Sequence, residues 1–390
     1  MDSSAVPGRR CGAMAPRHRR RRNGTVTFNG LPGSDSAEAA AFVAFRRAHD
    51  DLRVVGGDAG PGGFTLLALL RNEMYFLPPF LAHYRALGVE RFVFLDDRSS
   101  DGSREYALRQ PDTIVVESAR RYGDPVPLPS SLAGSNRDPR MEVLWRSLLH
   151  DRFAPDRWAV QVDLDEFVHL PAGSTFPGVV SRIGRNARVL WGVMLDVYPE
   201  NLSTLANHSA SGVLETGATW FFDGERHLRL VRGRPPVRVY PGARARLYAR
   251  YGLIEQSDRI NRRVEQSASS CAFVRWRARW NPAEIYNNIR KPVLVRWGEG
   301  SYFRSSHATN LPASTRHLLP IVHFRFSGAV DARVGAALRE RSHYLGSSDY
   351  RRVHALLRAM ADSDGSFLYP RSRPLEDFRD LARTGNAAGL

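Results

Sequence analysis

Two cysteines, Cys11 and Cys271, are all that the 390-residue chain contains. So small a supply excludes a disulfide framework and a thiolate zinc cluster. Lysine is scarcer still: Lys291 stands alone among 56 basic residues, the rest being arginine. No apolar run approaches the roughly 20 residues needed to cross a bilayer, and the N-terminus lacks the apolar centre of a secretory signal. The cytoplasm is therefore the expected setting. Against these absences, 43% hydrophobic and 25% charged residues are the proportions of a globular protein with a sizeable core. The length leaves room for one large or two ordinary domains.

The net charge is +16, and part of it sits in one tail, where seven arginines face a single aspartate before residue 23. Such a balance suits acidic partners: nucleotide diphosphates, anionic lipid headgroups or nucleic acid. Residues 1–35 read as a disordered, solvated tail whose functional version is tethering to an anionic membrane surface. Residues 36–63 read as a helical lead-in over 37–53 followed by a linker marked by Gly56, Gly57, Gly60, Pro61, Gly62 and Gly63. The folded body starts near Phe64, with a nucleotide-binding half over 64–200, an acceptor-binding and closing half over 201–365, and a C-terminal tail over 366–390 that is expected to fray over 371–390.

Within the body, buried strands alternate with amphipathic helices. Strands are expected over 64–70, 91–95, 113–116, 158–163, 188–195 and 318–326. Helices are expected after Pro78 and Pro79, over 141–149, and over 331–360. Alternation of this kind implies parallel pairing with right-handed crossovers, and ligands of such sheets bind beyond the carboxyl ends of the strands. Three of those ends are acidic: Asn72-Glu73, Asp96-Asp97 and Asp163-Leu164-Asp165-Glu166. If Asp163 and Asp165 continue an extended backbone they point the same way while Leu164 turns into the core. Two like-directed carboxylates repel unless a cation lies between them. A hard divalent ion, Mg²⁺ or Mn²⁺, meets that need with one or two carboxylates and the phosphates of a substrate.

These residues resemble the family 2-like glycosyltransferases with the nucleotide-sugar-binding GT-A fold. Arg71-Asn72-Glu73, followed by His83-Tyr84-Arg85-Ala86-Leu87-Gly88-Val89, is similar to that family's opening. Asp96-Asp97-Arg98-Ser99-Ser100-Asp101-Gly102-Ser103 is similar to its D-D-x-S-x-D-G-T stretch, and Asp163-Leu164-Asp165-Glu166-Phe167 to its D-x-D-E-F metal motif. Leu195-Asp196-Val197-Tyr198-Pro199, Phe222-Asp223-Gly224, Lys291-Pro292-Val293 and Val322-His323-Phe324 follow in the same order. The resemblance spans residues 64–350.

The resemblance implies an α/β, GT-A-type single large Rossmann-like domain with a mainly parallel sheet flanked by helices. It implies a glycosyltransferase that moves a sugar, with inversion, from a nucleotide diphosphate-sugar donor to a hydroxyl of a glycan, lipid or small-molecule acceptor. Asn72, Glu73, Asp97 and Asp163 are then the nucleotide-binding candidates. Asp163, Asp165 and His323 are the candidate ligands of Mn²⁺ or Mg²⁺, with His307 as the rival histidine. Asp223 is chosen as the general base over Glu215 and Glu225, because transfer needs a carboxylate to take the acceptor proton. Trp220, Phe221 and Trp297 are candidates for an apolar wall against the acceptor sugar, or else core. Two other readings stand beside this one. A nucleotidyltransferase would need a Gly-rich phosphate loop after the first strand, where Arg71-Asn72-Glu73-Met74 stands. A basic nucleic-acid-binding protein would gather its arginines and aromatics on one face, whereas carboxylates gather here.

Overall fold

The computed structural model describes residues 37–126, 140–231, 234–253, 289–340 and 344–390, apart from 59 and 61. The Arg-rich tail lies outside the described residues. Helix α1 (Ala37–Ala48) leads to strand β1 (Arg53–Gly56). Then β2 (Thr65–Leu70), α2 (Leu77–Ala86), β3 (Arg91–Asp96), α3 (Ser103–Leu108) and β4 (Thr113–Glu117) alternate, and α4 (Met141–Phe153) precedes β5 (Trp158–Gln161) and β6 (Glu166–Val168). Next come α5 (Phe176–Val180), β7 (Val189–Asp196), α6 (Leu202–Ala210), β8 (Trp220–Asp223), β9 (Leu228–Val231), β10 (Arg234–Arg238) and α7 (Ala243–Arg250). The chain closes with β11 (Arg290–Arg296), β12 (Phe303–Ser305), β13 (Ala308–Thr309), β14 (Ala313–His323), α8 (Val330–Glu340), α9 (Tyr344–Ala361), β15 (Ser372–Leu375) and α10 (Phe378–Arg383).

Nine of these strands form one sheet in the order β1-β4-β3-β2-β5-β11-β7-β14-β6. β4, β3, β2 and β5 are parallel, as are β7 and β14. β11 lies antiparallel between β5 and β7, so those two groups share one direction. β1 and β6 run antiparallel at the two edges. The fold is thus α/β with a large, mainly parallel central sheet flanked by helices. Among the described residues no helix is long and apolar enough to cross a membrane.

Side-chain alternation explains why β2 and β3 read as unbroken apolar runs. Leu66, Ala68, Leu70, Phe92 and Phe94 face one core, where α2 supplies Phe80 and Tyr84. Leu67, Val93 and Leu95 face the other, where α4 supplies Trp145, Leu148 and Leu149. Both faces are covered, so no polar alternation is needed. Val334, Ala337, Val353 and Leu356, read as one face of the closing helices, meet in a further cluster.

Several boundaries differ from those read in the sequence. The lead-in helix stops at Ala48, and Arg53–Gly56 is an edge strand paired with β4. Nor is that lead-in separate from the body: Phe42 stacks on Tyr302 and Arg46 pairs with Asp151. The division near residue 200 does not separate two halves either, because β11 and β14 insert beside β5 and β7. Residues 371–390 do not fray. β15 pairs with β8, Ala388 bridges to Leu318, and Leu381 and Asn386 are fully buried.

Gly192 sits in β7 between Lys291 of β11 and Leu319 of β14. A Cβ there would stand 2.4 Å from Ile321 Cδ1 and 2.5 Å from Val293 Cγ2. The close approach of the two neighbouring side chains over this strand requires glycine. Gly192→Ala should therefore lower unfolding free energy by about 1–3 kcal/mol, whereas Gly184→Ala, where a Cβ meets nothing within 4 Å, should stay within about 0.5 kcal/mol. Urea unfolding of both variants checks this, and equal stabilities would refute it.

Candidate active site at the carboxyl edge of the sheet

Two corners that follow β2 and β3 brace each other. Asn72 takes a left-handed backbone, φ 53°, which the short amide side chain tolerates. Its Oδ1 accepts from the Ser100 amide at 2.7 Å, and its own amide donates to Ser99 Oγ at 3.0 Å. The Glu73 amide donates to Ser103 Oγ and the Met74 amide to Asp101 Oδ2, each at 2.9 Å. Residues 96–103 thus act as a scaffold that holds the Glu73 corner, and Asn72 is engaged in that scaffold. Asp97 is buried against Arg71 and Arg121, each 3.0 Å from a carboxylate oxygen. Burial raises its pKa even against the pull of Arg71.

β5 ends at Gln161, so Asp163-Leu164-Asp165 is a turn rather than a strand end. The Glu166 amide donates to the Asp163 carbonyl at 3.1 Å, and Glu166 Oε2 accepts from the Asp163 amide at 2.9 Å. Leu164 points into the core as expected. The two aspartates, however, face different partners, because a turn does not keep the side-chain alternation of a strand. Asp163 accepts from Arg146 Nη2 at 2.8 Å and from Lys291 Nζ at 2.7 Å. Lys291 also reaches Glu166 Oε2 at 2.5 Å. Asp165 Oδ2 accepts from Arg333 Nη1 at 2.5 Å, and Arg333 Nη2 extends to Glu73 Oε1 at 3.4 Å.

The repulsion read from the sequence is thus offset by fixed cations of the protein itself. Burial opposes ionisation of Asp163 and Asp165, but Arg146 and Lys291 hold the first below the usual carboxylate range, and Arg333 and His323 the second. Glu73 goes the other way: burial, with Asp165 and Asp163 nearby, outweighs Arg333 and lifts it to about 8. Its Oε2 is buried without a hydrogen-bond partner.

His323 ends β14 beside Asp196, the last residue of β7, to which it is directly paired in the sheet. Its Nδ1 lies 2.6 Å from Asp196 Oδ1 and its Nε2 3.2 Å from Asp165 Oδ2. Burial disfavours the charged ring, yet Asp165 and Asp196 prevail and raise its pKa to about 9. His307, the rival, has Nδ1 on the Arg290 carbonyl at 2.8 Å, and burial with Lys291 close by depresses it to about 4.

Among the described residues no three acidic, histidine or cysteine side chains gather about one point as a ready ligand shell. Two do meet. Asp165 Oδ2 and His323 Nε2, 3.2 Å apart, have the spacing of neighbouring ligands on an ion with bonds of roughly 2.1 Å. His323 also carries the supporting carboxylate on its other nitrogen that metal-bound histidines use. The donor set therefore fits an ion held by two side chains, with the remaining positions left to substrate oxygens; Asp163 is not one of the two, being held by Arg146 and Lys291. Such an ion must take the place of the His323 Nε2 proton and loosen Arg333 from Asp165.

Asp223 lies in another setting. It is 1% exposed, and it accepts from Tyr198 OH and Tyr240 OH at 2.7 Å each and from Arg246 through both Nε and Nη2. Both oxygens are engaged, so a proton-accepting role requires one of these partners to yield. Glu215 is exposed, and Glu225 accepts from Tyr369. Trp220 packs edge-on against Phe324 and Trp297 stacks on His150, both in the core, so neither forms an open wall; Phe221 is half-buried.

Arg146, Arg333 and Asp196 had no role assigned from the sequence, nor did Lys291. The one available signal was composition: a single lysine in an arginine-rich chain marks a position where an ammonium serves and a guanidinium does not. A scan of protein-family models found no match, and a search of curated proteins found no significant relative.

Replacing Asp223 by Asn removes the charge that faces the bidentate Arg246. Breaking a buried pair in this way costs about 3–5 kcal/mol. Asp223→Asn should therefore unfold at clearly lower denaturant with no substrate present, and parental stability would show that Asp223 is not an anchor.

Proposed function

We propose that this protein is a glycosyltransferase of GT-A type, which transfers a sugar from a nucleotide diphosphate-sugar to an acceptor hydroxyl. The observation that carries the reading is the meeting of the β2 and β5 corners. Glu73 from one and Asp165 from the other share Arg333, at the carboxyl ends of parallel strands where ligands of such sheets bind. A nucleotide diphosphate-sugar needs two things there: acceptors for its nucleoside hydroxyls and imide, and positive charge for its diphosphate. Glu73 and Asp97 are the proposed partners of those nucleoside groups, with the Asn72 corner positioning the first.

Asp165 and His323 would hold Mn²⁺ or Mg²⁺, with Asp163 beside them. When bound, the ion supplies a Lewis acid that neutralises charge on the departing diphosphate. The chain's own part is to fix these donors. Arg146 and Lys291 pin Asp163, and Lys291 pins Glu166, so the turn cannot drift when substrate enters. Inversion requires a base for the acceptor proton. Asp223 takes that part only by releasing Arg246 or a tyrosine, and Glu225 is the rival on the same segment. The proposed setting is the cytoplasm, with the basic tail suited to an anionic membrane face.

Calorimetry with ADP, GDP, CDP, UDP and dTDP, each with Mn²⁺ or with EDTA, tests the reading. One diphosphate should bind with Mn²⁺ and lose at least tenfold in affinity with EDTA. Asp165→Asn and His323→Ala should abolish the Mn²⁺ dependence, while Glu215→Gln leaves it unchanged. Failure of every nucleotide to bind, with or without metal, would overturn the proposal.

A further inference from the structure

We infer that Asp196 is a positioning residue that aims His323 at the cation site. This rests on the metal reading above and goes beyond it by assigning a residue that touches neither ion nor substrate.

The argument starts from the sheet. Asp196 and His323 are cross-strand partners at the ends of the parallel strands β7 and β14, so their side chains emerge side by side from the same edge. An imidazole in that place could swing about its ring bond unless one nitrogen is tied. Asp196 Oδ1 ties Nδ1 at 2.6 Å. The opposite nitrogen is thereby turned to Asp165, 3.2 Å away.

Asp196 is itself held from the far side. Its Oδ2 accepts from Arg244 Nε at 2.7 Å, and Arg244 Nη1 continues to Asp349 at 3.0 Å. Asp349 in turn accepts from Arg325 at 2.6 Å. Asp196 and Arg244 are both buried. One oxygen of Asp196 therefore serves the histidine and the other serves a guanidinium fixed on α7, which leaves the carboxylate a single orientation. The division matters for a ligand, because it fixes the ring, keeps the proton on Nδ1 and leaves Nε2 as the nitrogen that can exchange a proton for a metal ion.

The test uses the full chain and Mn²⁺, followed by the electron paramagnetic resonance signal of the free ion, alone and with each of the five nucleoside diphosphates. Far-UV and near-UV circular dichroism report the fold in parallel. Asp196→Ala should weaken Mn²⁺ binding about 10–100-fold. Asp196→Asn, whose amide oxygen can still accept from Nδ1 although its NH₂ then faces Arg244, should recover part of that loss, and it keeps the test alive if the alanine variant unfolds. His323→Ala should abolish the site. If Asp196→Ala and Asp196→Asn both bind Mn²⁺ like the parent while His323→Ala does not, the positioning role is wrong and the metal reading survives. If the parent binds no Mn²⁺ with any nucleotide, both are overturned.

Discussion

Asp165, Glu166 and Asp196 are buried at the carboxyl edge of one sheet, and no carboxylate stays buried and ionised without a countercharge. This constraint organises the edge. Lys291 spans Asp163 and Glu166, Arg333 spans Asp165 and Glu73, and His323 spans Asp165 and Asp196. Each cation comes from a different element: Lys291 from β11, His323 from β14, Arg333 from α8. The acids come from the β2 and β5 corners and from β7. Elements distant in sequence are therefore locked in one register by charge as well as by apolar packing, and loss of Lys291 would leave the buried Glu166 without its cation.

The same arrangement bears on function. Paired charges hold the donors in fixed positions, as the proposed transferase would require. The arrangement is also poised. Asp163 remains the more open of the two aspartates, Glu73 keeps one oxygen without a partner, and His323 Nε2 is the ring nitrogen turned to Asp165. An anionic substrate arriving with a divalent ion would, on the proposed reading, meet acids able to take the ion, with Arg333 released toward phosphate.

Much of the scaffold was legible in the sequence because it depends on local pattern. The runs at 65–70, 91–96 and 113–117 and the α2 prolines follow from periodicity and turn chemistry alone. The acidic corners were legible too, since Glu73, Asp163 and Asp165 stand directly after strands. What the sequence did not disclose is who answers them. Arg146, Lys291 and Arg333 are 17, 125 and 168 residues from the nearest acid they pair with, and no local rule brings β11 between β5 and β7. The turn at Asp163-Leu164-Asp165 also escaped, because a two-residue difference in where a strand stops sends the two carboxylates to different partners. At the far end, 371–390 read as a tail because polar residues predominate there, yet strand pairing with β8 holds it.

The central claim is that the Asp165–His323 corner receives a divalent ion together with a nucleoside diphosphate. Diffraction from crystals grown with MnCl₂ and the diphosphate that binds in calorimetry, recorded at the manganese absorption edge, tests it most directly. The account predicts an anomalous peak within bonding distance of Asp165 Oδ2 and His323 Nε2, with phosphate oxygens completing its shell and Arg333 withdrawn from Asp165. A diphosphate bound elsewhere, or bound at this edge with Arg333 still on Asp165 and no manganese between, would contradict it.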